Sequence, residues 1–285
     1  MNTLPFQQVD VFTAVPFKGN PVAVVLDGSG LSGARMQAIA NWTNLSETTF
    51  VCEATDRQAD YRLRIFTPRS ELRFAGHPTI GSAHAILRHG LKPKAPGRLV
   101  QECGQGLVAI RIDGARLFLM LPKPALREVS GTQLNAAAVA LGIAPDAVRA
   151  RALVDVGVGW LTLQLRDAES VRTLRPNLAQ VAELTPAGVA GITVFGLNEP
   201  GVTPQLEVRS FAPAQGVPED PVCGSGNGCV AALVRQERLL AGPGYVAAQG
   251  CCVGRDGRVE IQFDSGGTIW LGGHAVTCVE GTLQT

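Results

Sequence analysis

A chain of 285 residues with 46% apolar and 17% charged side chains is long enough for two cores and lacks the composition of a disordered segment. Its net charge of +1, with no block of like charges, argues against nucleic acid or a membrane surface as partner. No apolar run reaches the ~18–20 residues that span a bilayer, and MNTLPFQQVDVF lacks a basic head and apolar core, so no secretory signal is expected. Phe6 to Thr13 alternates as a first strand, Lys18-Gly19-Asn20-Pro21 is turn chemistry, and Val22–Leu26 is a second strand. Ser32 caps a helix through Met36 to Ala40; Thr48–Cys52 and Tyr61–Phe66 are strands. His77-Pro78-Thr79-Ile80-Gly81-Ser82 is expected to precede a helix ending near Gly90, followed by strands at Leu99–Val100, Leu107–Ile112 and Leu117–Leu121. Helix signals return at Gln133–Leu141, Pro145–Arg149 and Leu174–Leu184, between strands at Ala152–Val156, Trp160–Leu165, Gly191–Leu197 and Leu206–Phe211. A helix from Cys229 to about Leu240 and strands at Tyr245–Ala248, Val259–Phe263 and Thr268–Leu271 close the chain. The class is α+β with antiparallel or mixed sheets.

Half the chain echoes the other. Phe66 and Pro68 match Phe211 and Pro213 at an offset of 145 (211 − 66), as do Arg64 with Arg209, Thr48 with Thr193, Phe50 with Phe195, and Val9-Asp10-Val11 with Val154-Asp155-Val156. After a two-residue slip, Pro78, Gly81 and Ser82 match Pro221, Gly224 and Ser225. A repeat of half the chain implies two similar domains, placed at 1–125 and 126–285, with the final strand or strands free to return to the first half. Two like halves would offer two loop-to-helix starts to one cleft, where ligand sites are favoured.

Seven cysteines at irregular spacing do not form a disulfide framework; Cys52, Cys103 and Cys278 read as buried thiols, and adjacent Cys251-Cys252 suit neither bridge nor metal. No histidine falls in a metal-ligand spacing. A reduced cytoplasmic protein with no metal and no cofactor is expected. There is no GxGxxG after a strand, no P-loop lysine and no Gly-x-Ser-x-Gly elbow.

Glu47, in the apolar and hydroxyl-rich Leu45-Ser46-Glu47-Thr48-Thr49-Phe50, is the first catalytic candidate, because a desolvated carboxylate suits a carbon-acid proton shuttle near neutrality. The plain alternative is a surface glutamate at a strand start. His77 and Asp220 are each followed by Pro at matching places, and two unlike titratable groups can divide acid from base; Asp-Pro is also ordinary turn chemistry. Gly76, Gly81, Gly224, Ser225 and Gly226 read as backbone donors for an anion at helix starts. Cys223, beside a helix N-terminus, could have a depressed pKa and act as base or nucleophile. The first half offers Ile80 at the matching place, so a two-thiol racemase lacks its second cysteine.

These segments, together with Asp10-Val11-Phe12-Thr13, Gly19-Asn20-Pro21-Val22-Ala23-Val24, Phe74-Ala75-Gly76-His77-Pro78-Thr79, Glu219-Asp220-Pro221, Gln249-Gly250 and Gly254-Arg255, resemble the PhzF family of phenazine-biosynthesis proteins. The resemblance implies the diaminopimelate epimerase-like fold: two pseudo-symmetric halves, each a sheet or barrel wrapped round a central helix, with the site between them. It also implies a cofactor-independent isomerase, often homodimeric, acting on a small carboxylate-bearing metabolite. By motif, Glu47 is the expected general acid/base, His77, Asp220 and Ser225 line the pocket, and Gly76, Gly224, Cys223 and Asn20 bind substrate. Two rivals remain at this stage: an amino-acid epimerase using Cys223 with a second base, and a binding protein that kept the fold without catalysis.

Overall fold

The computed structural model describes residues 2–184 and 188–285. In chain order the elements are β1 (Thr3–Val11), β2 (Asn20–Val25), α1 (Gly33–Thr43), β3 (Thr48–Cys52), β4 (Tyr61–Phe66), β5 (Glu71–Leu72), α2 (Gly76–Arg88), β6 (Arg98–Cys103), β7 (Gly106–Asp113) and β8 (Arg116–Met120). They continue with β9 (Ala125–Arg127), α3 (Gly131–Leu141), β10 (Ala150–Asp155), β11 (Gly159–Gln164), α4 (Ala168–Arg172), α5 (Leu178–Leu184), β12 (Val189–Leu197) and β13 (Leu206–Ala212). The last are β14 (Val217–Asp220), α6 (Gly224–Gln236), β15 (Gly244–Gln249), β16 (Gly257–Phe263) and β17 (Ile269–Gln284). The chain divides into two compact units: Met1–Met120 with Gly272–Thr285, and Leu121–Leu271. Strand β17 therefore begins in the second unit and runs on into the first.

In the first unit β1 pairs with β2 antiparallel, β2 with β3 parallel, β3 with β4 antiparallel and β4 with β6 parallel. The strands β6, β7 and β8 follow as an antiparallel meander, and β17 pairs with both β8 and β1 to close the ring. Closure gives each of these ring strands a partner on both sides. Inside runs α2, buried from His77 to Ala83 and again at Ala85 and Ile86, and packed on β1, β2, β3, β4 and β8. A helix buried on almost every face, largely through small and apolar residues, belongs in such an interior.

The second unit repeats the pattern pair for pair. β9–β10 and β10–β11 are antiparallel, β11–β12 parallel, β12–β13 antiparallel, β13–β15 parallel and β15–β16 antiparallel. Its inner helix is α6, buried from Gly226 to Val234 and packed on β10, β11, β12 and β16. Beside it α3, α4 and α5 close a second core of Leu134, Leu141, Leu163, Val171, Val181 and Phe211.

The register corrects the sequence echo in two places. Phe66 pairs with Thr48, whereas Phe211 pairs with Ile192, so Thr193 corresponds to Thr49 and not to Thr48. Both threonines bond a serine hydroxyl: Thr49 to Ser82 at 2.8 Å and Thr193 to Ser210 at 2.9 Å. The inner helices start at Gly76 and Gly224, an offset of 148 (224 − 76) rather than 143. His77 thus matches Ser225, the second residue of each helix, and not Asp220, which ends β14. Gly81 and Ser82 lie within α2, not ahead of it, and the second helix begins at Gly224 rather than Cys229. Cys52, Cys103 and Cys278 are half-buried rather than buried.

Candidate active site

The predicted residues fall into two clusters, one in each unit. In the first unit Glu47 stands immediately before β3, its backbone tied to the sheet because its carbonyl accepts the Ala23 N–H of β2 at 3.4 Å. His77 occupies the first turn of α2. Its Nε2 lies 3.3 Å from Glu47 Oε2, with the side chains 8% and 16% exposed. That approach is too poorly aligned to be a hydrogen bond, and both atoms are shielded from solvent without any other partner. Leaving a buried polar atom unmade costs about 1–3 kcal/mol, so such a pair needs a reason.

The start of α2 has further donor capacity. Its N-cap is Ala75, which has no side chain to cap the helix, so the amides of Gly76 and His77 gain nothing from the residue before them. Pro78 in the third position has no N–H to leave unpaired. Asn20, buried at the start of β2, is paired in register with Val11.

In the second unit the cap is Cys223. Its sulfur accepts the Gly226 N–H at 3.2 Å and lies 3.6 Å from the Ser225 hydroxyl. Ser225 Oγ also accepts the indole N–H of Trp160, buried in β11, at 2.9 Å. An indole nitrogen only donates, so the serine's own hydrogen is left for another acceptor. Asp220 Oδ1 accepts the Val222 N–H at 3.1 Å, which folds the segment leading to Cys223 into a tight turn. Burial, and next the charge of Asp220, push the Cys223 thiol well above its ordinary value. The expectation of a depressed thiol pKa at this helix start is overturned, because desolvation outweighs the Gly226 N–H. By helix register the first-unit counterpart of Cys223 is Ala75. No second thiol stands at that cap.

Three residues of this cluster had no role assigned from sequence: Trp160, Asn227 and Gln249. The amide of Gln249 bonds to Asp220, Cys223 and Asn227. Period-two alternation along β15 carries the signal, since Tyr245, Ala247 and Gln249 all point inward and the last is polar. Among the described residues no group of three His, Cys, Asp or Glu side chains could hold a metal ion, and no helix is long and apolar enough to cross a membrane.

The family model for phenazine biosynthesis-like proteins matches residues 9–281. The chain is 40% identical to antisense-enhancing sequence 1 of Schizosaccharomyces pombe over 97% of each chain. It is 31% identical to the trans-2,3-dihydro-3-hydroxyanthranilate isomerase of Pseudomonas aeruginosa over 96% of each. A solved PhzF-family phenazine biosynthesis protein from Bacillus anthracis superposes with a TM-score of 0.87 over 100% of both chains at 24% identity. The fold is of the diaminopimelate epimerase type.

Proposed function

The chain belongs to the family of phenazine biosynthesis-like proteins and is an isomerase, and on that premise we propose that it moves a proton between two carbons of a small carboxylate-bearing metabolite, with Glu47 as the carrier. The observation that carries this reading is the Glu47–His77 pair, two titratable groups 3.3 Å apart whose facing atoms are buried and make no hydrogen bond. Glu47 takes the proton from one carbon as the double bond shifts, then returns it to another; nothing is gained or lost overall, and no external acid is consumed. His77 Nε2 lies 3.3 Å from the Glu47 carboxyl, close enough to hold it in place through the transfer. Each cluster has donors of its own for a carboxylate: the Gly76 amide in the first unit, and the Gly224 amide and Ser225 hydroxyl beside Asp220 in the second.

Two further facts support this over a racemase. Burial pushes the Cys223 thiol well above its ordinary value, and the other helix start has Ala75 in its place. The test begins with trans-2,3-dihydro-3-hydroxyanthranilate, the compound named for the Pseudomonas relative, and widens to other small unsaturated acids in deuterated water. Glu47→Gln is expected to lower turnover by about 10²–10⁴-fold while ligand binding survives, the range for loss of a positioned acid–base group. Wild-type turnover by the Glu47→Gln enzyme would overturn the assignment.

A further inference from the structure

We infer that Gln249 is a positioning residue that sets the Asp220–Ser225 segment in its working shape, an inference that rests on the function proposed above. The side chain is 1% exposed at the end of β15, and both ends of its amide reach the Asp220–Cys223 backbone. Its Oε1 accepts the backbone N–H of Cys223 at 3.1 Å and the Asn227 amide at 2.7 Å, while its Nε2 donates to the carbonyl of Asp220 at 2.9 Å. One amide thereby joins the residue that ends β14 to the residue that caps α6, across Pro221 and Val222. Asn227 completes the strap by donating also to the Cys223 carbonyl at 2.9 Å.

The backbone on either side is shaped for this. Gly250 has φ of +106°, and a Cβ there would meet the Pro221 carbonyl oxygen at 2.6 Å, so the turn after Gln249 is pressed directly against the segment it holds. Gly257 at the start of β16 gives room to Val222 in the same way, since a Cβ there would meet Val222 Cγ1 at 2.8 Å. A glutamine suits the task because it alone among side chains of this length offers a donor and an acceptor on one rigid plane. The two ends of the amide serve different parts of the proposed machinery. Its oxygen fixes Cys223, and with it the Gly224 and Ser225 donors that hold substrate; its nitrogen fixes Asp220.

Two near-isosteric variants separate those ends. Gln249→Glu keeps the acceptor for Cys223 and Asn227 but loses the donor to Asp220. Gln249→Met removes both and keeps the core filled. Hydrogen exchange of the peptide covering Val222–Gly226 is measured alongside kcat and KM on the best substrate found for the wild-type enzyme. In Gln249→Met the peptide is expected to exchange at least 10-fold faster while the rest of α6 stays protected, with kcat down and KM up, each by about 10-fold or more, since a misplacement near 1 Å can cost 10²-fold. In Gln249→Glu the peptide is expected to keep its protection, with kcat reduced and KM within about threefold of wild type. A merely structural residue would give the same outcome in both variants: a lower melting temperature, a smaller active fraction and an unchanged KM. That outcome, or wild-type exchange in Gln249→Met, would overturn the inference. The exchange measurement needs no substrate, so it decides the strap even if Glu47→Gln shows the proton-transfer reading to be wrong.

Discussion

At the scale of single residues, the chemistry rests on what burial does to each group. Cys223 is the clearest case: it is 3% exposed and caps α6 through its sulfur, and burial, then the charge of Asp220, push its thiol well above the ordinary value. Cys223→Ser, which restores a better capping oxygen, is expected to retain turnover within about fivefold, whereas Cys223→Ala loses the cap and about 1 kcal/mol of stability. Denaturant melts and initial rates on both variants check this, and loss of all activity in Cys223→Ser would revive a thiol mechanism. Glu47 and His77 could be picked out from sequence because their neighbours spell a motif. Their 3.3 Å approach could not, since it depends on a strand start meeting a helix start thirty residues later. Gln249 stands in one of the motifs that carry the resemblance, but its partners were not legible, because a lone polar residue in an apolar strand reveals its neighbours only when the inward face of that strand is known.

At the scale of elements, the inner helices owe their place to small residues. Alanine at a helix interior position normally stabilises relative to glycine by about 1 kcal/mol. At Gly81 the sign reverses: a Cβ would collide with Val22 of β2 and lie 2.9 Å from Val11 Cγ2 of β1. Gly81→Ala is expected to cost about 1–3 kcal/mol, the usual penalty for overpacking, read as a drop in urea midpoint. This glycine was read from sequence as an anion donor, and the structure makes it a packing device. The error has a physical source. The link from β4 to α2 is shorter than that from β13 to α6, and an offset in sequence counts residues without seeing where a helix turn begins. The outer helix α4 carries a pH signature. Its cap Asp167 accepts from the Ser170 hydroxyl and N–H, each at 2.7 Å, and these bonds, with Arg166, hold its carboxyl at about 2. Because the folded value lies below the unfolded one, the contribution is complete above about pH 4 and is lost as pH falls toward 2. Asp167→Ala is expected to cost about 1 kcal/mol at pH 7 and nearly nothing at pH 2, measured as the difference in urea midpoints.

At the scale of the molecule, the duplication was the most legible feature of the sequence, and the ladders repeat it strand for strand. The two-domain reading placed the boundary near residue 125, and the chain divides at Leu121. The sequence reading left the final strand free to return to the first half but ended its last strand at Leu271, whereas Gly272–Thr285 belong to the first unit and β17 runs to Gln284. Strand β17 pairs with β1 from Val11 out to Thr3. Deleting residues 272–285 is expected to open that ring along β1 and β8, with binding of a hydrophobic dye and loss of the cooperative melt of the first unit, while the β9–β16 ladders persist by circular dichroism. A truncated chain melting as the full-length protein does would contradict the assignment of β17.

The same strand imposes a timetable on synthesis. A ribosome releases chain from the amino end, so the residues that shut the first ring leave the exit tunnel only after the whole second unit. The later-made half has all its own strands available before that moment, so the half translated first is the one that finishes last. Until then its hydrophobic interior stays accessible to chaperones, and a stop codon only slightly early would leave it open for good.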